Sequence, residues 1–185
     1  MRESDRNSFE HEGWRLSKLF DFGMATGFDC GHADLNDYFR QDALPHRDEL
    51  LAETYALVAA REGNIPVALL SLCNDSVRIE KVRDHLDLPE TKRYPVLPAV
   101  KIARFGVNRP FQCHQLGSLV INLTKLFFLT DNRTGCRLIT VDAYNEEAVT
   151  RFYGRNDFQF FSDKDRNKPT RAMFFDLKRL KTGVG

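Results

Sequence analysis

A strand that empties into a loop and then into a helix, residues 107–117, is the stretch of this sequence best suited to hold a charged ligand. The first amides of a helix have no intrahelical acceptor, and the aligned peptide dipoles leave that end positive. Such an end takes a phosphate or diphosphate without needing charged side chains. Arg109, just before the loop, adds a cation beside it. Asn145 stands at the end of an apolar strand, where its side chain can cap the helix that starts at Glu146. Phe152 and Tyr153 follow within that helix, and Tyr153 brings a hydroxyl to its apolar stripe.

Other reactive residue types fall in less useful places. Cys113 beside His114 has the types of a nucleophile and its base, but adjacent residues rarely orient as a catalytic pair. The loop position suits ligand contact better. Asp142, Glu146 and Glu147 read as a solvated face, and no residue declares itself a general base. The histidines (His11, His32, His46, His85, His114) are scattered without metal-ligand spacing, so no metal is expected. Cys30, Cys73, Cys113 and Cys136 match no C-x-x-C or finger pattern and read as free thiols of a reducing cytoplasm.

The elements that must position these residues follow from hydrophobic periodicity. Residues 14–20 alternate and form a first strand. Residues 27–31 (Gly-Phe-Asp-Cys-Gly) are a turn, after which Asp34 caps a helix carrying Leu35, Tyr38 and Phe39 on one face. Pro45 ends or breaks it, and Leu50, Leu51 and Ala52 suggest a second short helix. Residues 54–60 and 66–73 are strands joined by a hairpin turn at Glu62-Gly63-Asn64. Residues 78–94 are charged, with Pro89 inside, and read as a helix plus a surface loop. Residues 97–107 form the next strand, and the helix after the loop runs over 117–130. Leu116, Leu119, Val120, Leu123 and Phe127 fall there at three- and four-residue spacings. A strand over 137–141, a helix over 146–155 and strands over 158–161 and 172–177 complete a mixed α/β order. The helical crossover makes the strands on either side of it parallel neighbours.

Composition bounds the answer. A chain of 185 residues with 42% hydrophobic and 29% charged residues fits one soluble domain with a real core. A net charge of +1 speaks against a broad polyanion-binding surface. The stretch from Asp131 onward is slightly basic, with 11 Lys/Arg against 8 Asp/Glu. The charged first residues leave no signal-peptide core, and no apolar run reaches the ~20 residues of a membrane span. A cytoplasmic protein without membrane attachment is expected.

Several segments together resemble one family. Residues 100–107 (Val-Lys-Ile-Ala-Arg-Phe-Gly-Val) and then Arg109-Pro110-Phe111-Gln112-Cys113-His114-Gln115-Leu116-Gly117-Ser118-Leu119 resemble the acetyl-CoA-binding motif of the GNAT N-acetyltransferase superfamily. Its loop reads Arg/Gln-x-x-Gly-x-Gly/Ala. Gln112 and Gly117 match the two ends, while Cys113 and Gln115 stand where glycines are usual. Residues 137–145 resemble the family's strand that ends in Asn, and residues 149–158 its A-x-x-x-Tyr-x-x-x-Gly-Phe signature, with Val149 for Ala and Asp157 for Gly. Residues 27–31 and 35–39 resemble the N-terminal region of a branch that includes bacterial toxin acetyltransferases. The resemblance spans nearly the whole chain, which reads as a single domain.

The resemblance implies an α/β (α+β) fold: a mixed central sheet of about six to seven strands with flanking helices, splayed at the central parallel pair. It implies acetyl-CoA as cosubstrate and transfer of its acetyl group to a primary amine of a small-molecule or protein acceptor. An aminoacyl-tRNA acceptor, as in the toxin branch, and a degenerate CoA-binding module are the alternatives, and nucleic acid becomes a partner only in the tRNA case. The backbone of Phe105, Gly106 and Val107 would hold the pantetheine arm. The amides of Gln112, Cys113, His114, Gln115, Leu116, Gly117 and Ser118 would surround the diphosphate. Asn145 and Phe152 would contribute to cofactor binding, and Tyr153 would donate to the departing thiolate. A left-handed backbone at Gln115 would cost on the order of 1–2 kcal/mol relative to glycine. Lys101 and Arg104 alternate with Ile102 and Phe105, and one of them would line the acceptor cleft. Residues 78–98 and the N-terminal helices would shape that cleft, and homodimerisation is left open.

Overall fold

The computed structural model describes residues 8–11, 13–60, 65–88, 95–130 and 134–181. The chain divides into two compact units, residues 1–73 with 103–124 and residues 74–102 with 125–185. Three elements supply residues to both: strands β4 (Ala68–Arg78) and β5 (Val96–Val107) and helix α3 (Leu116–Thr130).

The first unit begins with an antiparallel hairpin, β1 (Ser8–His11) and β2 (Trp14–Lys18), turned at Gly13 with φ +82°. β2 pairs antiparallel with β3 (Glu53–Ala59), and β3 with the start of β4. Between β2 and β3 lie α1 (Ala33–Asp37), a π-helical segment (Tyr38–Asp42) and α2 (Ala43–Asp48). These bury Phe28, Tyr38, Phe39 and Ala43 against Ala56, Val58 and Leu69. Phe28 and Phe39 meet edge to face at 5.4 Å, both essentially excluded from solvent. Burial of each such ring stabilises by roughly 2–3 kcal/mol.

The second unit holds β6 (Leu138–Tyr144), α4 (Glu147–Arg155), β7 (Gln159–Phe160), β8 (Thr170–Asp176) and α5 (Lys178–Lys181). β5 and β6 are parallel, as the helical crossover requires, and pair over Ala99–Ile102 and Leu138–Val141. Each runs on past its last pair, β5 to Val107 and β6 to Tyr144, as a splayed pair should. β6 and β7 both pair antiparallel with β8. Val77, Val82, Leu97, Leu138 and Phe174 centre the core here. The strand order is β1-β2-β3-β4-β5-β6-β8-β7.

The structure corrects several sequence expectations. The sheet has eight strands, not six or seven. Ser8–His11 reads Ser-Phe-Glu-His and carries too little alternation to be recognised as a strand. Asp34 lies in the first turn of α1, but His32 is the N-cap and no side chain caps the helix. Pro45 neither ends nor breaks the helical run. It sits in the first turn of α2, directly after the π-helical register shift, where its missing N–H is no loss. Leu50, Leu51 and Ala52 are not a helix. Leu50 adopts φ +57°, and Leu51 donates its amide to the His46 carbonyl at 2.8 Å, which terminates α2. In residues 78–88 the expected helix is a single 3-10 turn, Ile79–Lys81. The hairpin turn expected at residues 62–64 lies outside the described residues, as does the loop over 89–94. In α3, Val120, Ile121, Leu123, Thr124 and Lys125 are the buried residues, whereas Leu116, Leu119 and Phe127 are half-buried.

Candidate active site

In the first unit the end of β5, the loop after it and the start of α3 form one braced structure. Asn108 donates its backbone amide to the Val67 carbonyl at 2.9 Å, and Arg109–Phe111 make a 3-10 turn. Gln112 donates its side-chain amide to the carbonyls of Cys30 and Val107, both at 2.9 Å. This ties the loop to the turn at residues 27–31 and back to its own strand. That turn is held in place as well. Asp29 accepts from the Gly31 amide and from Asn36 Nδ2, each at 2.8 Å, and its other oxygen lies 3.3 Å from Arg109 Nε. The Gly31 amide, then Asn36 and the Arg109 charge, hold the Asp29 carboxyl below its ordinary range. Arg109 is therefore engaged by a carboxylate of its own unit. Gly106 is required at its place, because a Cβ there would lie 2.9 Å from Cys30 Cβ and 3.0 Å from its sulfur.

The loop backbone carries the central observation. Cys113 (φ +64°) and Gln115 (φ +59°) are both left-handed. Alternation of left- and right-handed residues turns successive N–H groups toward one concavity, an anion-binding nest. Gln115 accepts the first bond of α3, from the Leu119 amide at 3.1 Å. Among the described residues, the amides of Cys113, His114, Gln115, Leu116 and Gly117 donate to no protein acceptor. Five consecutive donors at the positive end of a 15-residue helix suit a diphosphate. The two left-handed side chains are exposed, so they leave the donors unpaired at a backbone cost of about 1–2 kcal/mol each. His114 Nδ1 lies 2.7 Å from the Gln112 carbonyl, to which it must donate, so that nitrogen is not a base for Cys113.

The second unit holds the other expected residues. Tyr153 is 95% buried, packed edge to face against Phe152 at 5.1 Å and Phe158 at 5.3 Å. Among the described residues its hydroxyl has no hydrogen-bond partner, and burial raises its pKa far above the ordinary tyrosine value. It stays a neutral donor at any working pH. Its position is fixed by the end of α4: the Phe158 amide donates to the Tyr153 carbonyl at 3.1 Å, around Asp157 in a left-handed conformation at φ +64°. Asp157 thus holds a left-handed conformation that glycine adopts at no steric cost. Lys125, which interrupts an apolar stretch of sequence, is buried and donates to the Asn156 carbonyl at 2.8 Å while lying over the Phe175 ring at 4.0 Å. Burial lowers its pKa. Sequence reading missed this role, and an isolated lysine in a helix offers no signal of it.

Asn145 does not cap α4, whose N-cap is Glu146 without a side-chain bond. Its side-chain amide instead donates to the carbonyls of Arg166 and Lys168, both at 2.8 Å, and shapes the loop between β7 and β8. Arg171 and Asp165 (2.8 Å) complete that loop. Asp142 is paired with Lys101 at 2.8 Å, which explains it as a partly solvated ion pair. Beside that pair is a cavity of about 560 Å³, also lined by Asp75, Thr140 and Lys168, and reached by Glu80, Lys81, Asp84 and His85 of the segment expected to shape an acceptor site. Thr140 donates to Asp75 there at 2.6 Å. Among the described residues no group of three or more His, Cys, Asp or Glu is placed to hold a metal, and no helix is long and apolar enough to cross a membrane.

No protein-family model matches the chain, and no curated protein matches it in sequence. Solved structures do match. A tyrosine-to-phenylalanine mutant of KacT superposes with a TM-score of 0.72 at 19% identity, covering 94% of this chain and 100% of that one. AtaTR bound with acetyl-CoA gives 0.71 at 20% identity, covering 95% and 100%. AtaT complexed with acetyl-methionyl-tRNAfMet gives 0.69 at 20% identity, covering 93% and 99%. At such identities the likeness establishes the fold, and it is the GNAT-like fold that the sequence motifs imply.

Proposed function

We propose that this protein is an acetyl-CoA-dependent N-acetyltransferase that acetylates a primary amine. The observation that carries the reading is the run of five unpaired amides at residues 113–117 under two left-handed non-glycine residues. A backbone strained at two positions for no internal hydrogen bond is a sign of function. Acetyl-CoA, when bound, supplies an activated acetyl thioester. The nest takes its diphosphate, and the strand end Phe105, Gly106 and Val107 aligns the pantetheine arm. Ser118, Asn145 and Phe152 are proposed as further cofactor contacts, Asn145 through its carbonyl oxygen or the loop it shapes. The amine attacks the thioester carbon, a C–N bond replaces the C–S bond, the amine loses a proton to solvent, and the thiolate leaves. A backbone N–H near the strand end stabilises the carbonyl oxygen as charge develops on it.

Tyr153 is proposed as the donor to the departing sulfur. Its raised pKa makes full proton transfer harder than for an ordinary phenol, so its part is a hydrogen bond that strengthens as the thiolate forms. That two structural neighbours, KacT and AtaT, were solved with a tyrosine changed to phenylalanine is in keeping with such a role. The acceptor amine is carried by a small molecule or a protein. The acetyl-methionyl-tRNA held by AtaT supports a second reading, aminoacyl-tRNA as acceptor, which would make this chain a toxin.

Calorimetry with acetyl-CoA and CoA tests the central claim, and absence of binding at millimolar concentration defeats it. Alkylation supplies an independent check. Cys113 is exposed on the nest, and acetyl-CoA should slow its labelling at least tenfold while leaving Cys136 unchanged. Growth arrest with acetylated aminoacyl-tRNA on induced bacterial expression would select the second reading, and its absence would end it.

A further inference from the structure

Arg104 precedes the strand segment Phe105 to Val107 and shares a face of β5 with Gly106, since strand side chains alternate. At Gly106 that face meets Phe28 and Cys30, and at Arg104 it meets Tyr38, whose ring centroid lies 5.1 Å from the guanidinium carbon. All of these belong to the first unit. A guanidinium has five N–H donors. Here Nη1 donates to the Ala103 carbonyl at 2.9 Å, while Nε is buried without a partner.

The charge is equally uncompensated. Among the described residues no carboxylate comes within 4.0 Å of Arg104, whereas other arginines of the same unit are committed: Arg40 to the Phe28 carbonyl at 2.5 Å, Arg47 to Asp48 at 3.4 Å, Arg109 to Asp29 at 3.3 Å. A half-buried cation with an orphaned donor is unfavourable, and attraction to one tyrosine face offsets only part of the cost. Among the described residues Nη2 donates to no acceptor and is not buried, so with the second Nη1 hydrogen it offers an end-on fork that matches a carboxylate or phosphate in two-point geometry, next to the buried Nε.

We propose that Arg104, backed by Tyr38, binds an oxyanion on the acceptor, so that the acetylated amine belongs to a molecule carrying a carboxylate or a phosphate. This rests on the acetyltransferase reading, and it makes Arg104 a specificity-determining residue of that site. A polycationic or neutral amine would leave the guanidinium unpaired, and a cationic one would meet its charge.

The binding test does not depend on turnover. The Arg104 Nε–H resonance of the ¹⁵N-labelled protein is assigned by its loss in Arg104→Lys. It is then followed during titration with inorganic phosphate, with acetate and with chloride at constant ionic strength. A saturable shift with phosphate or acetate and none with chloride is expected, and Arg104→Gln should lose the binding. In turnover, β-alanine or O-phosphoethanolamine should show a KM at least tenfold below that of ethanolamine, and the advantage should vanish from KM, not kcat, in Arg104→Gln. The preferred arm identifies the source, carboxylate or phosphate. An Nε–H indifferent to both oxyanions, or variants that discriminate as the wild type does, would overturn the proposal. Acetyl-CoA calorimetry on the same samples separates the outcomes: failure there defeats the enzyme reading, whereas Arg104 variants with wild-type acetyl-CoA affinity show that any lost oxyanion binding is local.

Discussion

Replacing Gln115 with glycine separates the two things that this residue does, which are to hold a left-handed backbone and to project a side chain over the nest. At φ +59° the side chain costs about 1–2 kcal/mol relative to glycine. Glycine gives back about 0.4–1 kcal/mol through the freedom it adds to the unfolded chain. The net gain is roughly 0.5–1 kcal/mol. For a chain of 185 residues the unfolding entropy near the midpoint is about 0.4 kcal/mol/K, so Tm should rise by ~1–3 °C. Gln115→Ala keeps the left-handed cost and should leave Tm within about 1 °C of wild type, again on that entropy scale. Because all five amides survive the change to glycine, the acetyl-CoA Kd should stay the same or fall. Thermal denaturation of the free protein and calorimetry with acetyl-CoA read the two effects separately. If alanine stabilises as much as glycine, the strain argument is wrong. If glycine weakens acetyl-CoA binding more than tenfold, about 1.4 kcal/mol, the Gln115 side chain and not the backbone makes the contact.

Tyr153→Phe should lower kcat by about 10²-fold or more with an unchanged acetyl-CoA Kd. Its Tm should not fall, since the deleted hydroxyl makes no hydrogen bond among the described residues; an unchanged kcat removes Tyr153 from the chemistry. Gly106→Ala places a methyl 2.9 Å from Cys30 Cβ and should destabilise by about 1–3 kcal/mol. Adding Cys30→Ala removes the sulfur at 3.0 Å and should recover part of the loss; no recovery in the denaturation midpoint would show that the clash lies elsewhere. Burial raises the Cys136 thiol from its ordinary 9.0 to about 11, so the folded state keeps the proton longer than the unfolded one. Its stabilising contribution is full below pH 9 and declines as pH rises toward 11. Stability measured against pH should therefore fall less steeply over that window in Cys136→Ala than in wild type, and an equal or steeper fall contradicts the assignment.

The candidate site was legible where local patterns carry it. A strand, a loop and a 15-residue helix are visible in the periodicity of residues 97–130, and the parallel pairing of β5 with β6 follows from the crossover alone. The order of Gln112, Gly117, Asn145, Phe152 and Tyr153 sufficed to imply the fold. Short polar elements were not legible. Ser8–His11 is a strand only because β2 offers it an edge, and residues 50–52 are a turn because Leu50 closes α2. In the first case the deciding hydrogen bonds come from a neighbouring strand, and in the second from the last turn of α2, where Leu50 takes a left-handed conformation that its residue type does not announce.

Cys113, Gln115 and Asp157 mark the boundary most clearly. By itself the sequence determined that three positions where the family favours glycine carry side chains, and what a left-handed backbone there would cost. Only the tertiary structure decided that all three are left-handed. Gln112 bound to two carbonyls braces the loop, Lys125 holds the helix end, and the fold's many contacts outweigh a local penalty of a few kcal/mol. Arg104 belongs on the same side of that line. Its type and strand position could be read from sequence, whereas its orphaned donor and missing counter-ion are properties of the packed face around it.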